Sequence, residues 1–365
     1  MKKLIYTILK YLNLIFIAAL LLSYLSVFIS PAKIWILAFF GLAYPYLLVI
    51  NLLFLTFWIA KQKLFLILPL IAILSGWNYL NTYIQIPLNQ KKPTKESVEK
   101  SFNLLSFNVR SFDLYQWNEK KTTKDEIFQF INHQDFGIIC FQDFFTRNSG
   151  ELSEEDIQQK LNQKYQSHIE YTVENSNHNL GVATYSKHPI INRGVIQFNH
   201  SFNVSIYTDI VIDNDTLRIF NIHLQSIRFN EDNYKFITNS KMLKEEEKLK
   251  EIKDISNRLR DAFIKRANQA ETLSKHIKKS PYPIILCGDF NDVPVSYTYQ
   301  TLKKDLKDSF VKAGQGIGNT YIGKFPSFRI DYIFYSNGLE CQTFNIHKEK
   351  LSDHYPLTGK FYVKH

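Results

Sequence analysis

The chain has 365 residues, 45% hydrophobic and 15% aromatic, which is room for one large domain and an appendage. Its formal net charge of +10 is unevenly held: residues 1–100 carry ten lysines and two glutamates, and residues 101–365 keep a net of only +2. A basic excess gathered around apolar segments is a membrane-flank signature and not a nucleic-acid footprint.

Three apolar stretches come first, at 11–29, 34–60 and 64–80, separated by Ser30-Pro31-Ala32-Lys33 and Lys61-Gln62-Lys63. Each is near the roughly 20 residues that cross a hydrocarbon core of about 30 Å, and none holds an Asp, Glu, Lys or Arg. The expectation is three transmembrane helices within residues 1–85, with a helical hairpin plus an interfacial third segment as the alternative, and the lipid bilayer as partner. Trp77, Tyr79 and Tyr83 fall where an aromatic belt belongs. With three spans, Lys2, Lys3, Lys10, Lys61 and Lys63 share one side and Lys33 faces the other. The positive-inside bias then places the N-terminus in the cytoplasm and the globular part outside, although Lys91, Lys92 and Lys95 pull the other way. Residues 86–100, with Pro87, Pro93 and mixed Lys and Glu, read as a polar linker.

From residue 101 onward, short Val/Ile/Phe-rich strands alternate with amphipathic helices, which predicts an α/β domain with mixed sheets. A strand at 103–109 carries Asn108; a helix follows at 122–133. The strand at 136–142 runs into Asp143, and a helix is expected at 153–164. Strands at 167–173, 180–186, 205–212 and 216–223 come next, the last two joined through Asp213-Asn214-Asp215, and 216–223 delivers His223. The helical stretch 241–279 opens with the Lys/Glu-dense run Lys244–Glu251, read as a solvated face. The strand at 283–288 leads directly into Asp289 and Asn291. After a helix at 296–305, the strand at 329–335 holds Asp331 in apolar company. Ser352-Asp353-His354 then precedes a last strand at 356–363. Cys140, Cys287 and Cys341 read as small buried hydrophobes. His178 and Asn179 could reach a pocket rim and Arg228 could bind an anionic substrate, but all three are read first as exposed loop residues.

Carboxylates and imidazoles recurring at strand ends suit one chemistry. Asp143, Asp289, Asp331 and Asp353 are hard oxygen ligands or proton acceptors, and His223 and His354 donate to a phosphate oxygen or move a proton near neutral pH. Asn291 adds an amide donor without negative charge. No Cys/His pairing with zinc spacing and no Gly-rich nucleotide loop is present, so no nucleotide cofactor is expected.

The motifs Gly288-Asp289-Phe290-Asn291 and Ser352-Asp353-His354, in that order and after those strands, resemble the endonuclease/exonuclease/phosphatase superfamily over residues 101–365. The resemblance implies a four-layer α/β sandwich and Mg2+, with Mn2+ as an alternative. It implies catalytic roles for His223, Asp289, Asn291, Asp331 and His354, and a metal environment of Asn108, Asp143 and Asp353. The chain departs from the family at Phe141-Gln142-Asp143, where Leu-Gln-Glu is usual. A membrane-anchored, metal-dependent phosphoesterase is the expectation, acting on a lipid headgroup or small phosphoester. A nuclease is the alternative, ahead of a tethered binding domain with a decayed site.

Overall fold

The structure, a computed structural model, describes residues 2–86, 101–116, 122–199, 201, 203–239, 244–323 and 327–364. Neighbouring side chains on a strand point to opposite faces, so runs such as Leu104-Leu105 and Ile138-Ile139 need cover on both. Two six-stranded sheets laid face to face, each backed by helices, supply it.

In chain order the strands are β1 (Ile84–Gln85), β2 (Phe102–Asn108), β3 (Ile138–Arg147), β4 (Gln166–Glu174), β5 (His178–Ser186), β6 (Ile190–Gln197) and β7 (Val204–Ile212). They continue with β8 (Asp215–His223), β9 (Ile284–Asp289), β10 (Lys307–Asp308), β11 (Gly316–Ile317), β12 (Asp331–Tyr335), β13 (Leu339–Ile346) and β14 (Leu357–Val363). One sheet has the order β13-β14-β2-β3-β5-β4 and the other β10-β12-β9-β8-β7-β6. Each contains one parallel pair, β2 with β3 and β8 with β9, and the remaining described pairings are antiparallel.

Alternation sorts the core. Leu104, Ile138 and Cys140 meet Ile219, Ile285 and Cys287 between the sheets. Leu105, Ile139 and Phe141 point outward onto Ile127, Phe128 and Ile131 of the helix Thr123–Gln134. Phe220 and Leu286 point outward onto Ala270, Leu273 and Ile277 of the long helix Glu245–Lys278. The four expected layers are therefore present, and the three cysteines are buried and free.

Two strands had no clear signal. β6 is an edge strand, largely exposed, whose Gly194 lies under the Tyr207 ring, so its pattern is not that of a core strand. β13 is half-exposed beside β14. The helix expected at 153–164 ends at Lys160, because Asn162 and Gln163 turn to positive φ.

The three expected transmembrane helices are not borne out. Among the described residues, only α1 (Lys2–Leu25) is by itself long and apolar enough to cross a bilayer. The second stretch divides into α2 (Ile36–Leu42) and α3 (Tyr44–Ala60), bent 63° apart, so it makes a second span only if the bent pair counts as one. Pro45, at the start of α3, donates no backbone hydrogen bond and its ring crowds the carbonyl of Gly41. The third stretch gives a 3-10 turn and then α4 (Ile67–Ser75), only 9 residues long. At about 1.5 Å per residue that is too short to cross. The orientation argument required three spans and goes with them. Of the segment read as a linker, residues 87–100 lie outside the described residues.

These helices bundle around Leu20, Tyr24, Tyr44 and Leu48, and the cluster takes in Val295 of the sandwich. Gly41 approaches so closely that a Cβ there would lie 2.3 Å from the Val295 carbonyl oxygen. Phe39 meets Phe263 of the long helix edge to face at 5.3 Å. β1 pairs with β11, and the Tyr83 carbonyl accepts from the Gly318 N–H at 2.8 Å. Buried Arg329 donates to the Thr82 carbonyl at 2.9 Å and pairs with buried Asp308 at 2.6 Å. Removing one partner of a buried pair strands the other charge, at about 3–5 kcal/mol. Arg329→Met is accordingly expected to lower stability by about 3 kcal/mol or more, read as a depressed thermal midpoint in detergent, whereas Lys235→Met on the exposed surface should leave the midpoint nearly unmoved.

Candidate active site

The parallel pairs end at the same edge of the sandwich, and the site is built there. β9 ends on Asp289, whose register partners are His223 at the end of β8 and Asp331 at the start of β12. Three neighbouring strands thus set three functional residues in a row. Gly288 explains the tight approach: its φ is 139°, and a Cβ there would fall 2.0 Å from the Ile222 carbonyl oxygen.

Asp289 is 1% exposed and its charge is met from several directions. From the other sheet, Asn108 donates Nδ2 to its Oδ2 at 3.0 Å. Asn291, in the left-handed region with φ 53°, donates its backbone N–H at 2.8 Å and its side-chain amide at 3.1 Å. The Nε2 atoms of His223 and His354 lie 3.7 and 3.8 Å from the same Oδ2. Behind them Asp331 accepts from His354 Nδ1 at 2.9 Å. That bond fixes which imidazole nitrogen is left facing Asp289.

Burial, with the neighbouring Asp331 charge, raises Asp289 to about 6, although His354 and His223 pull it down. Burial would depress the His354 imidazolium, yet the Asp331 and Asp289 carboxylates outweigh it and hold the group up at about 10. The two groups diverge, one toward a proton acceptor and the other toward a retained cation, a separation typical of acid–base sites.

A cleft of about 300 Å³ opens over this cluster. Asn108, Asp143, His223, Asp289, Asn291, Asp353 and His354 line it, so of the eight residues singled out from sequence only Asp331 stands behind the wall. Asp143 is placed by a bulge between Phe141 and Phe144 and has φ 51°, which turns it out of the ladder. Asp353 pairs with Arg110 at 3.1 Å, and Arg110 also lines the cleft. Arg110 escaped the sequence reading because a lone arginine after a strand has no pattern to mark it. Arg228 was read as an ordinary loop residue, yet it lines the cleft. His178 stacks on Phe145 and Asn179 bonds Thr146 and Asn148, apart from the cleft wall. The Lys/Glu-rich helix contributes its later turns, through Leu259, Phe263 and Arg266.

Asp289, Asp331 and His354 offer ligand atoms all within 4.8 Å of one another, dimensions that admit a metal ion. The cleft further presents the carboxylates of Asp143 and Asp353, hard donors suited to a divalent cation.

The family model described as "Endonuclease/Exonuclease/phosphatase family" matches residues 105–354. The chain belongs to this family. Members of the endonuclease/exonuclease/phosphatase family are generally phosphoesterases or nucleases and commonly depend on a divalent metal. A domain of unknown function matches residues 2–83. No curated protein sequence matches the chain. Among solved structures, it is similar to family proteins from Bacteroides thetaiotaomicron (16% identity, TM-score 0.53, covering 75% of this chain and 100% of that one) and Bacteroides vulgatus (16%, 0.53, 72% and 99%). It is also similar to the human Nocturnin catalytic domain with bound sulfate (17% identity, TM-score 0.50, covering 73% and 95%). At such identities the likeness is one of fold.

The His354 geometry is checked by NMR titration of the imidazole. Its midpoint should lie well above the usual histidine value of about 6.5 and fall by about 1–3 units in Asp331→Asn, which removes the opposing charge.

Proposed function

We propose that this protein is a membrane-associated, Mg2+- or Mn2+-dependent phosphoesterase that cleaves an ester P–O bond by attack of water. The observation that carries the reading is the buried Asp289 carboxylate, surrounded by Asn108, Asn291, His223 and His354 at the floor of a cleft.

A phosphoester resists water because its oxygens repel the incoming nucleophile, so neutralising donors and an oriented base are the requirement. Asp289, ionised above about 6 and fixed by three hydrogen bonds from Asn108 and Asn291, is the group to orient a water and accept its proton. The new P–O bond forms as the ester P–O bond breaks, and the leaving oxygen takes a proton. His354, held cationic by Asp331, and His223 beside it are the donors to the phosphoryl oxygens, and Arg110 adds positive charge at the rim. A divalent cation held by Asp143 and Asp353, with the Asn108 amide oxygen, would supply further neutralisation of the phosphate. While Asp331 and Asp289 hold the His354 imidazole cationic, its Nε2 carries a proton and offers a metal no lone pair. Asp143, one methylene shorter than the family's usual glutamate, reaches the cleft wall from the bulge between Phe141 and Phe144.

Membrane association rests on the N-terminal bundle's exterior. Leu4, Ile15, Leu53 and Leu64 are 64%, 64%, 64% and 84% exposed, and they are a few of many large apolar side chains facing outward. A surface of that kind is stable in lipid and a liability in water. The nearly neutral sandwich favours a small or lipid-borne phosphoester over a nucleic acid.

Release of p-nitrophenol from bis-p-nitrophenyl phosphate by the detergent-solubilised full chain tests the reading. Hydrolysis is expected with Mg2+ or Mn2+ and should vanish in EDTA; undiminished activity after exhaustive chelation would remove the metal from the scheme. His354→Ala and Asp331→Asn should each lower turnover by about a hundredfold or more. The double substitution should cost little beyond the larger single effect, since both dismantle one unit. A folded His354→Ala protein with normal turnover would overturn the assignment.

A further inference from the structure

The cleft is two-ended. One end is the polar floor around Asp289; the other is walled by Leu42, Leu259, Phe263, Val293, Phe328 and Ile330. Leu42 does not belong to the sandwich. It is the last residue of α2, and so the N-terminal region, matched by a domain of unknown function, supplies part of the active-site wall. Its position is fixed by the Phe39–Phe263 ring contact and by the close seat of Gly41 on Val295.

Among the described residues, the apolar end holds no unpaired charge at its base. Arg266 and Asp292 lie there, both buried, but they pair with each other at 3.2 Å, and Arg266 also donates to the Gln225 carbonyl at 3.0 Å. The apolar surface also leads outward along two routes. On the long helix, Ile252, Leu259 and Phe263 fall on one face at spacings of seven and four residues, and Ile252 is 49% exposed while the other two are buried. At the start of α2, the exposed Trp35 lies seven positions before Leu42 and so on the same face. Exposed apolar side chains thus stand on the outer turns of the same helix faces that wall the cleft over Asp289.

We propose that this trough receives the hydrocarbon chain of a lipid phosphoester drawn from the bilayer around the N-terminal helices, and that α2 serves as a substrate-binding element as well as part of an anchor. The proposal rests on the phosphoesterase reading and narrows its substrate class. A hydrocarbon chain is the occupant that matches a wall without free polar groups, continuous with a lipid-facing exterior; a nucleotide or sugar phosphate would leave its hydroxyls unpaired there.

The test uses the full chain in phosphatidylcholine nanodiscs, supplied with Mg2+, and two esters sharing one leaving group: methyl p-nitrophenyl phosphate and dodecyl p-nitrophenyl phosphate. The dodecyl ester is expected to show kcat/KM at least about tenfold above the methyl ester, since each buried methylene contributes about 0.8 kcal/mol. Partition of the dodecyl ester into the disc raises its local concentration in every variant alike, so the decisive quantity is how the ratio changes. Leu42→Asp, which puts a charge on the trough, and Leu42→Trp, which fills it, should each bring the dodecyl-to-methyl ratio down by about tenfold. Leu42 is only partly buried, so both variants are compatible with folding. On the wild-type protein, dodecylphosphonate should inhibit methyl ester hydrolysis at lower concentration than methylphosphonate. Methyl ester hydrolysis with an unchanged ratio in both variants, or with equal inhibition by the two phosphonates, would overturn this proposal and leave the phosphoesterase reading standing. Hydrolysis of neither ester would bring down both.

Discussion

A carboxylate with almost no access to water is the constraint around which this molecule is arranged. Taking an isolated anion out of water costs several kcal/mol, and the cost is offset only by donors with good geometry. Asp289 finds them in Asn108 from one sheet and Asn291 from its own loop, with two imidazoles, from the end of β8 and the segment before β14, standing near at 3.7 and 3.8 Å. Each donor requires its strand to stop at a particular residue. The register of three strands, the glycine before Asp289 and the left-handed turn at Asn291 are all consequences of that requirement.

The two sheets hold this register because a polar tie crosses the core just below the site. Gln142 on β3 donates to Asn221 on β8 at 2.7 Å, and Asn221 donates in turn to the Phe141 and Ala183 carbonyls at 3.1 and 2.9 Å. An apolar interface permits sliding between sheets, whereas amides paired in this way specify one relative position. The bulge that displaces Asp143 lies beside that tie, so the departure from the family's usual glutamate is set next to the amides that join the two sheets.

Much of this was legible. The buried strands announced themselves because both faces are covered, giving unbroken apolar runs, and the functional residues stood out as polar side chains at the ends of those runs. Asp289 and His223 were visible for that reason, and His354 through the Ser352-Asp353-His354 motif that precedes the last strand. Strands with one wet face, β6 and β13, carried no such contrast. Arg110 and Leu42 were invisible because their roles come from tertiary placement. The apolar N-terminal stretches show the limit most plainly. Composition registers how greasy a segment is, not where its helix is interrupted, and Pro45 at the start of α3 and Gly76 at the end of α4 turned apparent spans into shorter helices.

The scatter of the site along the chain has a consequence for how the protein is made. Asn108 lies near the start of the sandwich and His354 near its end, with Asp289 between them. Contacts so distant in sequence close late, after the local helices and hairpins have formed. A chain still emerging from the ribosome has Asp289 without His354, and its carboxylate stays with water until the last strand arrives. Completion of the Asp289 cluster and completion of the sandwich are then one event, so a half-finished chain holds the parts of the site without the site.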